Sequence, residues 1–256
     1  MTTAFAIQKP HFHLPVVTGM IERRILVNFR CHPDALQKVL PAPFRPQLIN
    51  GWGMAGICLI RLGGLRPNFL PAITGLTSEN AAHRIAVEWN DNGIIREGVF
   101  IPRRDSNALF NRLVGGKIFP GMHHAAAFQV SETTDHFALE MRSNDHLAFV
   151  CVHGRTADAL PSDSIFRSLE EASEFFRRGA LGWSARTTEN TFDGLELTCA
   201  QWRLEPLAVD RVESHFFENR EVFPVGSATF DSAFLMRNIP HEWHARGRLT
   251  IEKTKT

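Results

Sequence analysis

Five lysines occur in the chain, and Lys9, Lys38, Lys253 and Lys255 lie in termini or on a helix flank. Lys117 is different: it falls in the mid-chain turn Gly115-Gly116-Lys117, where burial would favour the neutral amine that forms a Schiff base with a ketone. A solvated turn lysine is the plainer reading. His123-His124 follows Phe119-Pro120-Gly121 and precedes a strand, so at most one imidazole faces inward along it. An inward ring can act as general base or ligand donor, and a surface or core histidine is the alternative. Arg103-Arg104-Asp105 closes one strand and opens a helix. That placement suits a carboxylate or phosphate held beside the helix N-terminus, or a local ion pair with Asp105. Ser78-Glu79-Asn80 has no apolar periodicity and reads as a loop, from which Glu79 can reach a pocket or remain an ordinary loop acid. The chain has 20 Phe and no Tyr, which excludes tyrosine-based acid–base chemistry.

Other chemistries fit poorly. His241-Glu242-Trp243-His244 has one residue too few between its histidines for the HExxH zinc signature and follows Pro240, so no metal site is expected there. Cys31, Cys58, Cys151 and Cys199 are far apart and suit buried reduced thiols better than zinc or disulfides. No GxSxG, P-loop or GxGxxG pattern is present, and no cofactor is expected. With 28 basic and 27 acidic residues, the formal charge of +1 gives no electrostatic case for nucleic acid or an anionic membrane. No apolar run approaches the ~18 residues of a membrane span and the N-terminus lacks a signal core, so a cytoplasmic location is expected.

At 256 residues and 44% apolar content, a single domain over residues 1–256 is the better reading. After an irregular lead, Arg24 to Arg30 alternates as a strand with one drier face and Arg30 on the wetter one. Pro33 opens a short helix that Pro41 ends. Gly53 to Leu62 is apolar on both faces and Gly63-Gly64 closes it. Ala82–Trp89 and Ile94–Arg103 form a hairpin around Asn90-Asp91-Asn92-Gly93. A two-residue turn would set Glu88 against Glu97, so a three-residue loop pairing Glu88 with Arg96 is preferred, leaving Glu97 among Ile95, Val99 and Ile101. Asp105 or Ser106 can cap a helix over Asn107–Val114, and a second helix spans about Ser164–Arg178. Strands fit Ala125–Val130, Phe137–Arg142, Leu147–His153, Trp183–Thr188, Leu195–Leu204, Val209–Phe217 and Ala228–Met236. Antiparallel neighbours without a βαβ rhythm predict a β-rich α+β fold with a barrel-like or sandwich core and a few short helices.

Phe29-Arg30, followed by the Pro33–Leu40 helix and the Pro41-Ala42-Pro43-Phe44 stop, resembles a segment of the acetoacetate decarboxylases. Ser78-Glu79-Asn80-Ala81-Ala82-His83-Arg84, Ile101-Pro102-Arg103-Arg104-Asp105 and Val114-Gly115-Gly116-Lys117-Ile118-Phe119-Pro120-Gly121 more closely resemble the uncharacterised DUF2071 or YqjF-like group, which lies in the same superfamily. The decarboxylase resemblance implies that Glu79 faces a pocket. It also shows a departure, because the decarboxylase Lys-Lys pair after a Phe-Pro turn is replaced by Gly121-Met122-His123-His124. A second pocket acid, expected on the Met54–Ile60 strand, is absent as well. The resulting expectation is an interior pocket for a small, partly apolar, anionic or carbonyl compound, without Schiff-base decarboxylation. Glu79, His123 and His124 are its catalytic candidates, and Arg30, Arg84, Arg103 and Arg104 its ligand-binding candidates. A non-catalytic binding or homo-oligomer-forming protein is the first alternative. A decarboxylase-like lyase using Lys117 is the second.

Overall fold

The computed structural model describes residues 5–8, 15–108, 122–186 and 190–251. The first half holds β1 (Phe5–Gln8), β2 (Val17–Cys31), α1 (Pro33–Val39), β3 (Arg45–Pro46), β4 (Leu48–Ile49), β5 (Trp52–Pro67), β6 (Leu76–Asp91) and β7 (Ile94–Ser106). There follow β8 (His123–Glu132), β9 (His136–Ser143), β10 (Phe149–Thr156), α2 (Leu169–Arg178), β11 (Leu181–Ala185), β12 (Thr191–Cys199), β13 (Glu205–Ser214), α3 (His215–Glu218) and β14 (Ala228–Ile251). The predicted β-rich α+β class is the one formed, with a single 14-stranded sheet and few helices among the described residues.

The strand path runs β12-β11-β7-β8-β9-β10-β13-β14-β2-β5-β6-β3, and pairings of β6 with β7 and β12 with β14 close it on itself twice. β2, β5, β6, β7 and β14 belong to both closures. A strand shared in this way has an interior on each side, so its two faces must both be apolar. Ile25, Val27, Ile57 and Leu59 accordingly feed one core, whereas Leu26, Met54, Cys58 and Ile60 feed the other. For β2 this corrects the expectation of a single drier face. Most pairings are antiparallel, although β7 runs parallel to both β8 and β11.

Several boundaries differ from those predicted. β1 pairs with β14 where the lead reads as irregular. β5 passes through Gly63-Gly64 by a register shift, since Gly64 takes a positive φ of 61° and β6 continues to pair beyond it. Residues 76–81 extend β6, so Ser78-Glu79-Asn80 is strand, not loop. α2 starts at Leu169, where Ser168 accepts a hydrogen bond from the Glu171 N–H at 3.2 Å and Glu171 accepts one from the Arg167 N–H. The predicted helix over Asn107–Val114 falls mostly outside the described residues. His241 to His244 lies inside β14, so successive side chains alternate faces and a zinc-binding helix is ruled out there.

The β6–β7 hairpin corrects the predicted register. Glu88 pairs with Glu97 and Trp89 with Arg96 around a two-residue Asn92-Gly93 turn. Asn92 and Gly93 have φ of 53° and 89°, the left-handed pair whose twist matches the flanking strands. The like charges are relieved from elsewhere: Arg45 lies 2.7 Å from Glu88, and Arg178 lies 3.5 Å from Glu97. Glu97 is therefore half-buried beside an arginine, not sealed among Ile95, Val99 and Ile101. A Cβ on Gly93 would meet nothing within 4 Å, so Gly93→Ala tests backbone conformation alone. The substitution should lower unfolding free energy by about 1–2 kcal/mol in urea melts at unchanged slope. A neutral result would show that the left-handed conformation at Gly93 does not hold this register.

Candidate functional site

Every strand of the closure formed by β12, β11, β7, β6, β5, β2 and β14 contributes to the wall of one cavity of about 100 Å³. Its lining is mainly apolar, with Ile60, Leu62, Val99, Ile101, Leu195 and Leu197 among the contributors. α2 closes part of it, because Ala172, Phe175 and Phe176 anchor the helix in the second core and Phe176 reaches the wall. Set into this apolar surface are Arg24, Arg84 and Arg104, with Asn80, Cys58 and His123 beside them.

None of the three guanidinium groups has a carboxylate partner among the described residues. Arg84 is 6% exposed, donates to the Asn28 side-chain oxygen, lies 4.9 Å from the Phe176 ring and leaves its Nε without a hydrogen-bond partner. Burial pushes it down to about 10, and the charge of Arg24 acts in the same direction. Arg104 donates to Ser184 Oγ at 3.2 Å and is also pushed down to about 10 by burial. Arg24 donates to Cys58 Sγ at 3.3 Å and stands over the Trp202 ring at 5.6 Å. The carboxylate at this wall, Asp105, is gripped by Arg103 through contacts of 2.8 and 3.0 Å. Arginine is retained in apolar surroundings at high cost unless an anion accompanies it, and these three lack a carboxylate among the described residues.

Strand alternation sorts the residues singled out in the sequence. On β6, Asn80, Ala82 and Arg84 face the cavity, whereas Glu79 turns to an ion network on the other side. Glu79 meets Arg23 at 2.5 Å and Arg61 at 2.6 Å, and Glu132 bonds to the same two arginines. Burial opposes the charge of Glu132, yet these arginines hold it below the usual carboxylate range. Glu79, expected to face a pocket, does not line this cavity; its place in the strand, not a loop, fixes that face. Of the paired histidines, His123 lines the cavity and His124 lies 3.1 Å from Asp145 outside it. Arg103 bridges Asp105 and Asp145, also outside. Arg30 ties β2 to Asp163 and Asp231, away from the cavity. Lys117 lies outside the described residues. Arg24 and Cys58 escaped the sequence reading; the available signal was the charged run Glu22-Arg23-Arg24 inside the strand.

The fold is that of the acetoacetate-decarboxylase-like proteins. The acetoacetate decarboxylase of Legionella pneumophila matches with a TM-score of 0.55 at 14% identity, over 93% of this chain and 87% of that one. An acetoacetate decarboxylase-like enzyme from Sphingomonas wittichii RW1 matches at 0.57 and 14%, over 98% of this chain and 100% of that one. The enduracididine biosynthesis enzyme MppR, in complex with pyruvate, matches at 0.59 and 11%, over 94% and 90%. No protein-family profile matches the chain, and no curated protein does. Among the described residues no helix is long and apolar enough to cross a membrane, and Cys31, Cys58, Cys151 and Cys199 are free thiols.

Two variants separate the ion network and the buried imidazoles from the cavity. Glu79→Gln strips one carboxylate from Arg23, which is 3% exposed, and should cost about 3 kcal/mol in denaturant melts while leaving anion binding in the cavity unchanged. Lost anion binding in a folded Glu79→Gln protein would return Glu79 to the site. His83 is 1% exposed, neither ring nitrogen has a hydrogen-bond partner among the described residues, and burial together with Arg103 pushes it down to about 4. Burial and Arg24 bring His241 down to about 4 as well. The unfolded chain binds these protons from about pH 6.5 downward and the folded chain does not, so stability should be full above that pH and fall between 6.5 and 4 by a few kcal/mol. His83→Phe should flatten this slope in melts run at each pH; an unchanged slope would count against a buried neutral imidazole.

Proposed function

We propose that the cavity binds a small carboxylate with a short apolar body, oriented by Arg24, Arg84 and Arg104. The observation that carries this reading is the convergence of three arginines, without a carboxylate partner among the described residues, on an apolar cavity of about 100 Å³. That volume suits a molecule of a few heavy atoms better than the larger ligands of typical clefts. The pyruvate complex of MppR, which shares the fold, supports a carboxylate beside a carbonyl as the ligand class. Motifs around Glu79, Arg103 and Gly115 support placing the chain with the DUF2071 group within the decarboxylase-like superfamily. Four free thiols support a reducing, cytoplasmic setting.

Calorimetric titration with propionate, pyruvate and acetoacetate tests the reading against propionamide, which keeps the shape but not the charge. The carboxylates should bind and the amide should not. Arg104→Gln should weaken binding at least ~10-fold, the scale of losing one partner of a desolvated charge pair. Equal binding of amide and acid would overturn the proposal. A binding or oligomer-forming protein without turnover fits the same titration, and its distinguishing result is unchanged carboxylate after prolonged incubation.

The shared fold of the Legionella decarboxylase favours a second reading, a lyase working through Lys117. It differs in a covalent intermediate, because an amine nucleophile traps as a reduced imine. With borohydride and acetoacetate, the first reading gives no adduct and no carbon dioxide. An adduct that disappears in a folded Lys117→Met protein establishes the second.

A further inference from the structure

We propose that Cys58 is the nucleophile of the cavity, reacting with small carboxylates that carry an electrophilic carbon next to the carboxylate, as 2-oxo acids do. This rests on the anion-binding reading and adds a covalent step to it. Cys58 lies on β5, at the wall, among Arg24, Arg84 and Arg104. Arg24 donates to its sulfur at 3.3 Å, and Arg84 and Arg104 line the same cavity. The sulfur thus shares one small cavity with all three guanidinium groups.

The independent sign of a ligand is Arg84. It is 6% exposed, lines the same cavity, and keeps its Nε unpartnered and its charge without a carboxylate among the described residues. A carboxylate drawn to that charge would lie beside the sulfur, and the thiolate is the form that attacks. The other cysteines lack this setting. Burial pushes the Cys31 thiol up to about 12, Cys151 is 1% exposed and raised by burial, and Cys199 is more accessible but also raised by burial.

With a 2-oxo acid the step needs no further reagent. The Cys58 sulfur forms a bond to the carbonyl carbon as the carbon–oxygen π bond opens, and the proton lost by the thiol ends on the carbonyl oxygen. The product is a thiohemiketal whose carboxylate remains among the arginines. Nothing is oxidised or reduced, and the step reverses by the same path.

Timed alkylation of the folded full-length chain, read by peptide mapping, tests this with iodoacetate and iodoacetamide. Iodoacetate should label Cys58 at least ~10-fold faster than Cys199, a ratio equal to about 1.4 kcal/mol, and faster than iodoacetamide labels Cys58. Propionate should protect it, and Arg24→Gln should abolish the preference for the anionic reagent. In solution with pyruvate labelled at its carbonyl carbon, the wild-type chain should give a tetrahedral-carbon resonance by nuclear magnetic resonance that Cys58→Ser lacks. Cys58 that labels only after denaturation, or that labels without giving the tetrahedral resonance, overturns the proposal. Cys58→Ser keeps the two readings apart: if it binds propionate normally while wild-type Cys58 stays inert, the nucleophile fails and anion binding stands. If propionate neither binds nor protects, both fail.

Discussion

A guanidinium group taken out of water without a carboxylate beside it is among the least favourable things a fold can contain, and Arg84 is such a group. Its partial compensation is local, from the Asn28 amide oxygen and the face of Phe176, while its Nε stays buried without a partner. Asn28 itself is fully buried in β2, where an apolar residue would otherwise pack. Phe176 is carried in by α2, whose phenylalanines wedge the helix against the second core. The polar residue in the strand and the aromatic one on the helix both make sense once the charge is given.

The contrast with Glu79 shows how the same strand handles two charges. Five residues apart on β6, Glu79 and Arg84 face opposite interiors. Glu79 is matched by two arginines and linked through them to Glu132, a closed set with positive and negative charges in balance. Arg84 shares the cavity wall instead with Arg24, which repels it, and with Arg104. A balanced set stabilises a fold; an unbalanced one holds electrostatic potential. That difference separates the two sides of the sheet.

Much of the fold was legible in the sequence, because strand alternation, the Pro33 helix start and doubly apolar Gly53–Leu62 each report local physics. The register of the β6–β7 hairpin was not. There the sequence offered two signals, the Asn-Gly turn and the Glu88–Glu97 repulsion, and the second was cancelled by Arg45 and Arg178, whose proximity no local pattern reveals. The site was half legible. Arg84, Arg104 and His123 stand out as charges or imidazoles in the segments the sequence singles out, and all three line the cavity. Glu79 and Arg30 stand out equally but face elsewhere, since which way a strand residue points depends on where the strand begins and on bulges set by distant partners. Arg24 and Cys58 could not be joined at all without the β2–β5 pairing that brings residue 26 opposite residue 58.

β14 pairs with β2 along most of its length, joining Thr18 to Glu242 and Arg30 to Thr229, and it also completes the second closure through β12. Neither closure exists until that strand is in place. A chain leaving the ribosome must therefore carry β2, β5 and β6, each apolar on both faces, through most of its synthesis without their final neighbour. Contacts this distant in sequence close slowly, and exposed two-faced strands invite pairing with other chains. The arginines of β2, β6 and β7 keep charge on those strands during the wait, and like charge holds unfinished chains apart.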